Sequence, residues 1–447
     1  MKYKIISAVG LMLTILFNIS SCKKYLDIKP DKSLVVPSSL NDLQAMLDDA
    51  MTMNLLWPIG GEVYSDNYYI TDSDWKSIQQ IDRLMYIFDK EASYSGDWFL
   101  TYRIILNTNL VLETLEKIED RDTDRKKKIK ASALFYRSMA HYILLQEFSL
   151  GYTISSKNGD EPGIPLKLNS DINSESTRST IKDCYSTILD DLQNALPDLP
   201  SEVPYKTRPS KSAGYALLAR IYLSIGNYKE AGKYASLCMN QGLNILDYNL
   251  INSDAPFERY NSEVIFHITG NYNTLLDPTV SKVDTNLLSL YPPGDLRRRL
   301  FFSQNIDSTW SFRGNYDGSA SVQMFCGLAA DEVYLIQAEC LAREGQDNDA
   351  LAVLNTFLKM RYDSSFTPRT ASSGNLLTLI LNERIKELLF RGVRWGDIRR
   401  LNLDGDNIVV QRKIQGKEYL LNHNDLRYAL QIPIDVLAQS HIQKNRR

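Results

Sequence analysis

Leu218-Ala219-x-x-Tyr222-x-x-x-Gly226-x-x-x-x-Ala231 and Gln337-Ala338-x-x-Leu341-x-x-x-Gly345-x-x-x-x-Ala350 carry one pattern at a constant offset of 119 residues, Ala338 against Ala219. Each reads as two antiparallel helices. Small residues at 219/338 and 231/350 let the helices approach closely, and the glycines at 226 and 345 allow a tight turn between them. Outward from the repeats, helical periodicity covers Ala131–Phe148 and a segment from about Ser179 to Leu196 that Pro197 and Pro200 stop. These form a candidate third pair, split by the Gly/Pro/Asn-rich loop 151–173. Ser38-Ser39 cap a helix with Leu40, Leu43, Met46 and Leu47 on one face, and further helices are expected over Trp98–Ile118 and Leu376–Phe390. Between the repeats, residues 245–330 look irregular, with a short strand at Val264-Ile265-Phe266 among Asn/Gly/Pro loops. The tail reads as a strand over Tyr428–Pro433 and a short helix.

The repeated spacing is that of a tetratricopeptide repeat, so the fold expected is mainly α, a tetratricopeptide-like helical-hairpin α-α superhelix. The 447 residues, 44% apolar and 23% charged, suit a globular chain of one to three domains. Lys+Arg 51 against Asp+Glu 54 leaves no basic excess for nucleic acid. Tyrosine is abundant, 26 residues against 14 Phe and 5 Trp, which suits either a wet core or a polar ligand surface.

The N-terminus decides destination. Met1-Lys2-Tyr3-Lys4 is a short basic region, and Ile5–Phe17 is an apolar run too short to span a bilayer, which needs about 20 residues. Ile19-Ser20-Ser21-Cys22 then resembles the bacterial lipobox, in which the thiol is acylated (diacylglycerol and palmitate) and cleavage leaves the cysteine as the mature N-terminus. Removing residues 1–21, with Lys2 and Lys4 and no acid, takes the formal charge from −3 to −5. Acyl chains on Cys22 would tether a soluble domain, each buried CH2 contributing about 0.8 kcal/mol. Cys184, Cys238, Cys326 and Cys340 are scattered, which suits buried hydrophobes better than a zinc site.

No G-x-S-x-G elbow, phosphate loop or H-E-x-x-H occurs, and His141, in an apolar helix, reads as structural. Ser179-x-x-Lys182 reads as a helix cap rather than an acylation site, and Asp404-Gly405-Asp406-Asn407 as a turn rather than a calcium loop. Arg391, Arg394, Arg399 and Arg400 are interleaved with Glu383, Glu387 and Asp397, the pattern of a structural charge network, with Glu387 and Arg391 as an i,i+4 pair. No metal, cofactor or catalytic constellation emerges, and the chain reads as a non-enzyme. What remains is binding. Sugars are held by aromatic faces with Asp, Asn, Gln or Arg on the hydroxyls. Trp57, Asp66, Asn67, Tyr68, Tyr69 and Trp75 on one loop, with Tyr291 and Trp310 in the irregular middle, are the candidate ligand residues.

Taken in order, several strings resemble the SusD/RagB outer-membrane nutrient-binding lipoproteins of the Bacteroidetes over essentially the whole chain. They are Cys22-Lys23-Lys24-Tyr25-Leu26-Asp27-Ile28-Lys29-Pro30, Trp98-x-x-x-Tyr102-x-x-Ile105-x-x-x-Asn109, Phe135-Tyr136-Arg137-Ser138-Met139-Ala140-His141-Tyr142, Gly163-Ile164-Pro165-Leu166 and Glu332-Val333-Tyr334-Leu335-Ile336-Gln337-Ala338-Glu339. The most specific is Glu383-Arg384-Ile385-Lys386-Glu387-Leu388-Leu389-Phe390-Arg391-Gly392-Val393-Arg394-Trp395-Gly396-Asp397-Ile398-Arg399-Arg400. The resemblance implies a signal peptide over 1–21, a lipidated tether over 22–39, a SusD-like helical region with the repeats over 40–245 and a RagB/SusD-like region over 246–447. It implies an irregular, loop-rich ligand-facing region with short β-strands, to which the Trp57–Trp75 loop belongs. It also implies an outward-facing outer-membrane lipoprotein that captures oligosaccharides and caps a SusC-like TonB-dependent transporter. A peptide carrier, a lipid-anchored glycosidase with two carboxylates about 5–10 Å apart and a purely structural lid stand as alternatives.

Overall fold

Glycine geometry builds both hairpins. Gly226 and Gly345 take φ of +69° and +74°, left-handed values that L side chains strain to adopt. After each, the next amide reaches back five residues, Asn227 to the Tyr222 carbonyl and Gln346 to that of Leu341, which closes the preceding helix with a Schellman turn. The computed structural model of the chain describes residues 37–318 and 321–447. The signal segment, Cys22 and the tether as far as residue 36 lie outside the described residues. Leu40–Arg447 form one compact unit.

In chain order the helices are α1 (Leu40–Asp48), α2 (Ala50–Met53), α3 (Gly60–Val63), α4 (Asp72–Ser77), α5 (Gln80–Tyr86), α6 (Ser95–Lys117), α7 (Thr123–Phe148), α8 (Ile181–Ala195), α9 (Lys211–Ser224) and α10 (Tyr228–Met239). Then come α11 (Thr285–Ser289), α12 (Arg297–Phe301), α13 (Ala330–Arg343), α14 (Asp347–Lys359), α15 (Leu376–Glu387), α16 (Arg394–Asp404) and α17 (Ile434–Gln439). The mainly helical architecture read from the sequence is present. Pairs α7/α8, α9/α10 and α13/α14 pack as neighbours, and α10 also packs on α13. Ala219, Ala231, Ala338 and Ala350 are fully buried in these contacts, and a Cβ on Gly232 would stand 3.0 Å from that of Cys340. The four described cysteines are buried and unbridged, and burial pushes the Cys184 thiol up to about 11 and that of Cys326 to about 12.

Strands are short: β1 (Tyr68–Tyr69), β2 (Val264–Phe266), β3 (Lys282–Val283), β4 (Phe302–Gln304), β5 (Trp310–Phe312), β6 (Leu328–Ala329), β7 (Val410–Ile414) and β8 (Lys417–Leu421). They pair antiparallel as β1–β3, β2–β6, β4–β5 and β7–β8. The β7–β8 hairpin, absent from the sequence reading, alternates buried Val410, Arg412 and Ile414 with exposed Gln411 and Lys413.

Four local expectations are corrected. Thr180, not Ser179, caps α8, its hydroxyl accepting from the Asp183 amide at 3.1 Å. Tyr428–Pro433 is no strand, because its backbone is taken by a helix end and by the tail: the Leu430 amide donates to the Glu147 carbonyl at 2.7 Å and Asn445 Nδ2 to the Leu430 carbonyl at 2.7 Å. The 57–75 segment, read as loop, holds α3, β1 and α4. The Glu387–Arg391 helix pair does not form, because α15 stops at Glu387 and Phe390 turns left-handed at φ 56°.

Arg391 instead meets Asp331 at 3.0 Å, while Glu387 accepts from Arg297 and Arg361 at 3.1 and 2.8 Å. The rest of the charged string is buried and spent in the same way. Arg394 holds Asp66, Arg400 bridges Glu339 and Asp397, and Arg399 donates to the main-chain carbonyls of Gln146 and Ser149. No guanidinium of this string is left over for a phosphate.

Candidate functional site

Arg412 organises the candidate site. It points inward from β7 and donates to the main-chain carbonyls of Tyr68 at 3.1 Å, Val63 at 3.4 Å and Ser65, while its guanidinium lies 4.8 Å from the Tyr68 and Tyr86 ring centres. One buried cation thus satisfies three carbonyls of the segment that becomes β1. Beneath it, Glu62 accepts from Asn67 and Ser65 through one oxygen and from the Gly392 amide through the other. Deeper still, Asp97 accepts from the amides of Ile59 and Gly60 at 3.2 and 2.9 Å, and Glu147 from that of Gly61 at 2.9 Å. A Cβ on Gly60 would stand 3.1 Å from Asp97 and 3.3 Å from Glu147, so glycine is what lets both carboxyls reach the chain. Burial pushes Glu62 up to about 7 and Asp97 to about 6, and raises Glu147 well above the usual carboxylate range.

Above this base two hollows open side by side. The larger, about 630 Å³, is lined by Asp66, Asn67, Tyr69, Asn286 and Lys413 among others. The smaller, about 420 Å³, is lined by Tyr69, Arg298, Asp307, Thr309 and Trp310 among others. Tyr69 and Thr285 line both, so together they form one divided cleft. Pairing of Tyr69 with Lys282 across β1–β3 fixes the tyrosine, and the β4–β5 hairpin presents Trp310 opposite Gln304. The Arg298 guanidinium lies 4.5 Å from the Trp310 ring centre, and its Nη1 donates to the Leu288 carbonyl at 2.9 Å.

The structure therefore sorts the eight candidate ligand residues. Asp66, Asn67, Tyr68, Tyr69 and Trp310 line the cleft, whereas Trp57, Trp75 and Tyr291 do not. Trp57 is fully buried with its indole N–H on the Met53 carbonyl, and the buried Tyr291 donates its hydroxyl to the Lys386 carbonyl at 2.8 Å. Trp75 packs on Tyr86. Tyr68, although it touches the larger hollow, is a core side chain whose hydroxyl is spent on the Val63 carbonyl at 2.7 Å. Burial pushes the Asp66 carboxyl up, but Arg394, at 2.6–2.7 Å, more than reverses this and holds it low.

The half-buried side chains that remain are Tyr69 and Trp310. Among the described residues neither the Tyr69 hydroxyl nor the Trp310 indole N–H has a hydrogen-bond partner. Partial burial, then the Asp307 and Asp284 carboxylates, raise the Tyr69 hydroxyl, so it stays a donor at neutral pH. Sequence reading missed Arg298, Thr285, Asn286 and Lys413. The period-2 alternation of Val410-Gln411-Arg412-Lys413-Ile414 was the one available signal, for Lys413.

Residues 24–223 match the family model described as starch-binding, associating with the outer membrane, and residues 330–436 match that of the SusD family. The chain belongs to the SusD/RagB family. Proteins of this family are outer-membrane associated. SusD-like protein P2 of Formosa agariphila is 29% identical over 154 residues, 34% of this chain but only 28% of that relative's length. Among solved structures, a SusD superfamily protein of Bacteroides thetaiotaomicron has a TM-score of 0.74 at 22% identity, over 92% of this chain and 100% of that one. A putative sugar binding protein of Bacteroides vulgatus gives 0.75 at 22%, covering 92% and 99%, and a SusD superfamily protein of the same species 0.76 at 19%, covering 92% and 99%. At these identities the likeness shows the SusD fold alone. Among the described residues no helix is long and apolar enough to cross a membrane.

Proposed function

We propose that this SusD/RagB protein is a non-catalytic, outward-facing outer-membrane lipoprotein that binds oligosaccharides in the Tyr69–Trp310 cleft and delivers them to a SusC-like TonB-dependent transporter. The observation that carries the reading is that two half-buried aromatics line one cleft, each with a flat face and an unspent polar tip. Aromatic faces take sugar C–H surfaces, and hydroxyl and indole N–H groups take sugar oxygens. Family membership and the sugar-binding description of one fold neighbour support the ligand class. The non-catalytic reading is supported by the state of the cleft carboxylates. Asp66 is held low by Arg394, and Asp307 is held low by the Thr309 hydroxyl and amide, so neither offers the raised carboxyl a general acid needs. Lipid anchoring rests on the Ile19-Ser20-Ser21-Cys22 string.

Trp310→Ala and Tyr69→Ala are each expected to weaken retention on the glycan that the protein binds by about tenfold or more, roughly 1.4 kcal/mol. Affinity electrophoresis across a glycan panel, with products assayed in parallel, reads this out. Unchanged retention in both variants overturns the cleft assignment, and released product overturns the non-catalytic reading. Retention on no glycan, with peptides bound instead, replaces the ligand class. For the anchor, Cys22→Ser is expected to release the protein from isolated outer membranes. Unaltered fractionation would refute lipidation at that thiol.

A further inference from the structure

The charges around the cleft are unevenly spent. Its carboxylates all have occupations: Asp66 is bidentate with Arg394 at 2.7 and 2.6 Å, Asp284 caps α11 through the Asn286 and Leu287 amides at 2.8 and 3.1 Å, and Asp307 holds the Thr309 amide and hydroxyl at 3.1 and 2.6 Å. Its cations do not. Arg298, Arg412 and Lys413 have no carboxylate partner among the described residues. With Arg394 included, the walls carry one more positive than negative group, in a chain whose formal charge is −3. That excess of a single charge biases the cleft toward anions, and the buried position of Arg412 shields its charge from salt.

Arg298 is the cation placed to use that field. The Trp310 ring and the Leu288 carbonyl hold its guanidinium in place, and its other N–H groups have no partner among the described residues. A guanidinium fixed beforehand loses little side-chain freedom on binding. Its planar fork matches the oxygens of a carboxylate or sulfate, a recognition that a neutral hydroxyl cannot repay. We infer that the cleft selects oligosaccharides bearing an anionic substituent, a carboxylate or a sulfate ester, and that Arg298 is the residue that discriminates. The inference rests on the carrier reading of the same cleft and names its ligand class.

The test uses matched probes: tetragalacturonate against its methyl ester, and sulfated against desulfated galactan oligosaccharides, with neutral glucan oligosaccharides alongside, titrated calorimetrically at low and high salt. The charged member of at least one pair is expected to bind about tenfold or more tightly than its neutral partner. That advantage shrinks as salt rises and collapses in Arg298→Leu, while Lys413→Gln, at the exposed rim, lowers it less. The pair that discriminates tells carboxylate from sulfate. Thermal unfolding of the Arg298→Leu chain, unchanged from the parent, separates recognition from folding. Neutral and charged members bound alike, neutral members bound alone, or discrimination intact in Arg298→Leu each overturn the inference and leave the carrier reading standing. Binding of no probe overturns both.

Discussion

Arg297→Met lowers the unfolding free energy by about 3–5 kcal/mol in denaturant titration, the cost of stranding a buried charge. The guanidinium is fully buried and donates to Asp295 at 2.9 and 2.8 Å, to Glu383 at 2.5 Å and to Glu387 at 3.1 Å. Lys386 and Arg361 share these carboxylates, Lys386 at 2.7 Å from Asp295 and Arg361 at 2.8 Å from Glu387. Burial pushes the Asp295 carboxyl up, yet Arg297 and Lys386 bring it down to about 2. Methionine fills similar volume but supplies no charge, leaving three buried carboxylates to two cations. Adding Glu383→Gln removes one of those carboxylates, so the double variant is expected to recover part of the loss. Additive losses in this cycle would mean that the two side chains are not coupled.

The second expectation concerns pH. Glu62, Asp97 and Glu147 hold the backbone and side chains of one segment, 59–67, and among the described residues none of the three has an ion-pair partner. Burial raises Glu62 from 4.5 to about 7 and Asp97 from 3.8 to about 6. A carboxyl raised on folding binds its proton more tightly in the native state than in the unfolded chain. Its contribution is complete below the unfolded value and is lost as pH rises through the folded one, about 3 kcal/mol per group at 1.36 kcal/mol per pH unit. Asp295 and Asp397, both brought to about 2 by arginines despite burial, act oppositely and are lost only as pH falls below about 4. Stability is therefore expected to peak near pH 4–5 and to decline by several kcal/mol toward pH 8. In Asp97→Asn the amide can keep accepting from the Ile59 and Gly60 amides without ionising, so about 2–3 kcal/mol of that decline should vanish. Parallel pH profiles for the variant and the parent chain would show that Asp97 ionises no differently in the two states.

Local readings succeeded where one residue type has one use. The Gly226 and Gly345 turns and the buried alanines of the hairpins follow from short-range sterics. So does the β2 strand at Val264-Ile265-Phe266. They failed where a partner distant in sequence settles the matter. Glu387 and Arg391 are correctly spaced for a helix pair, but each is claimed from outside that helix, Arg391 by Asp331, 60 positions away, and Glu387 by Arg297 and Arg361, 90 and 26 positions away. Tyr428 closes a 3-10 turn, and the groups that satisfy Leu430 beyond it come from Glu147 and Asn445, so no strand forms.

The site divides on the same line. Its aromatic and amide residues were visible as types, because a sugar surface and a wet core demand the same side chains. Composition alone could not tell Tyr69 from Tyr68, one residue apart, since strand alternation places them on opposite faces and only packing says which face meets Arg412 and which meets open space. By itself, then, the sequence determined the helical hairpins and the family, both of which are written in local spacing and residue chemistry. The tertiary structure alone decided which rings are core, which cations go unpaired and how β1, β3, α11 and the two hairpins close around one cleft. Those outcomes depend on contacts between segments hundreds of residues apart, which no local pattern encodes.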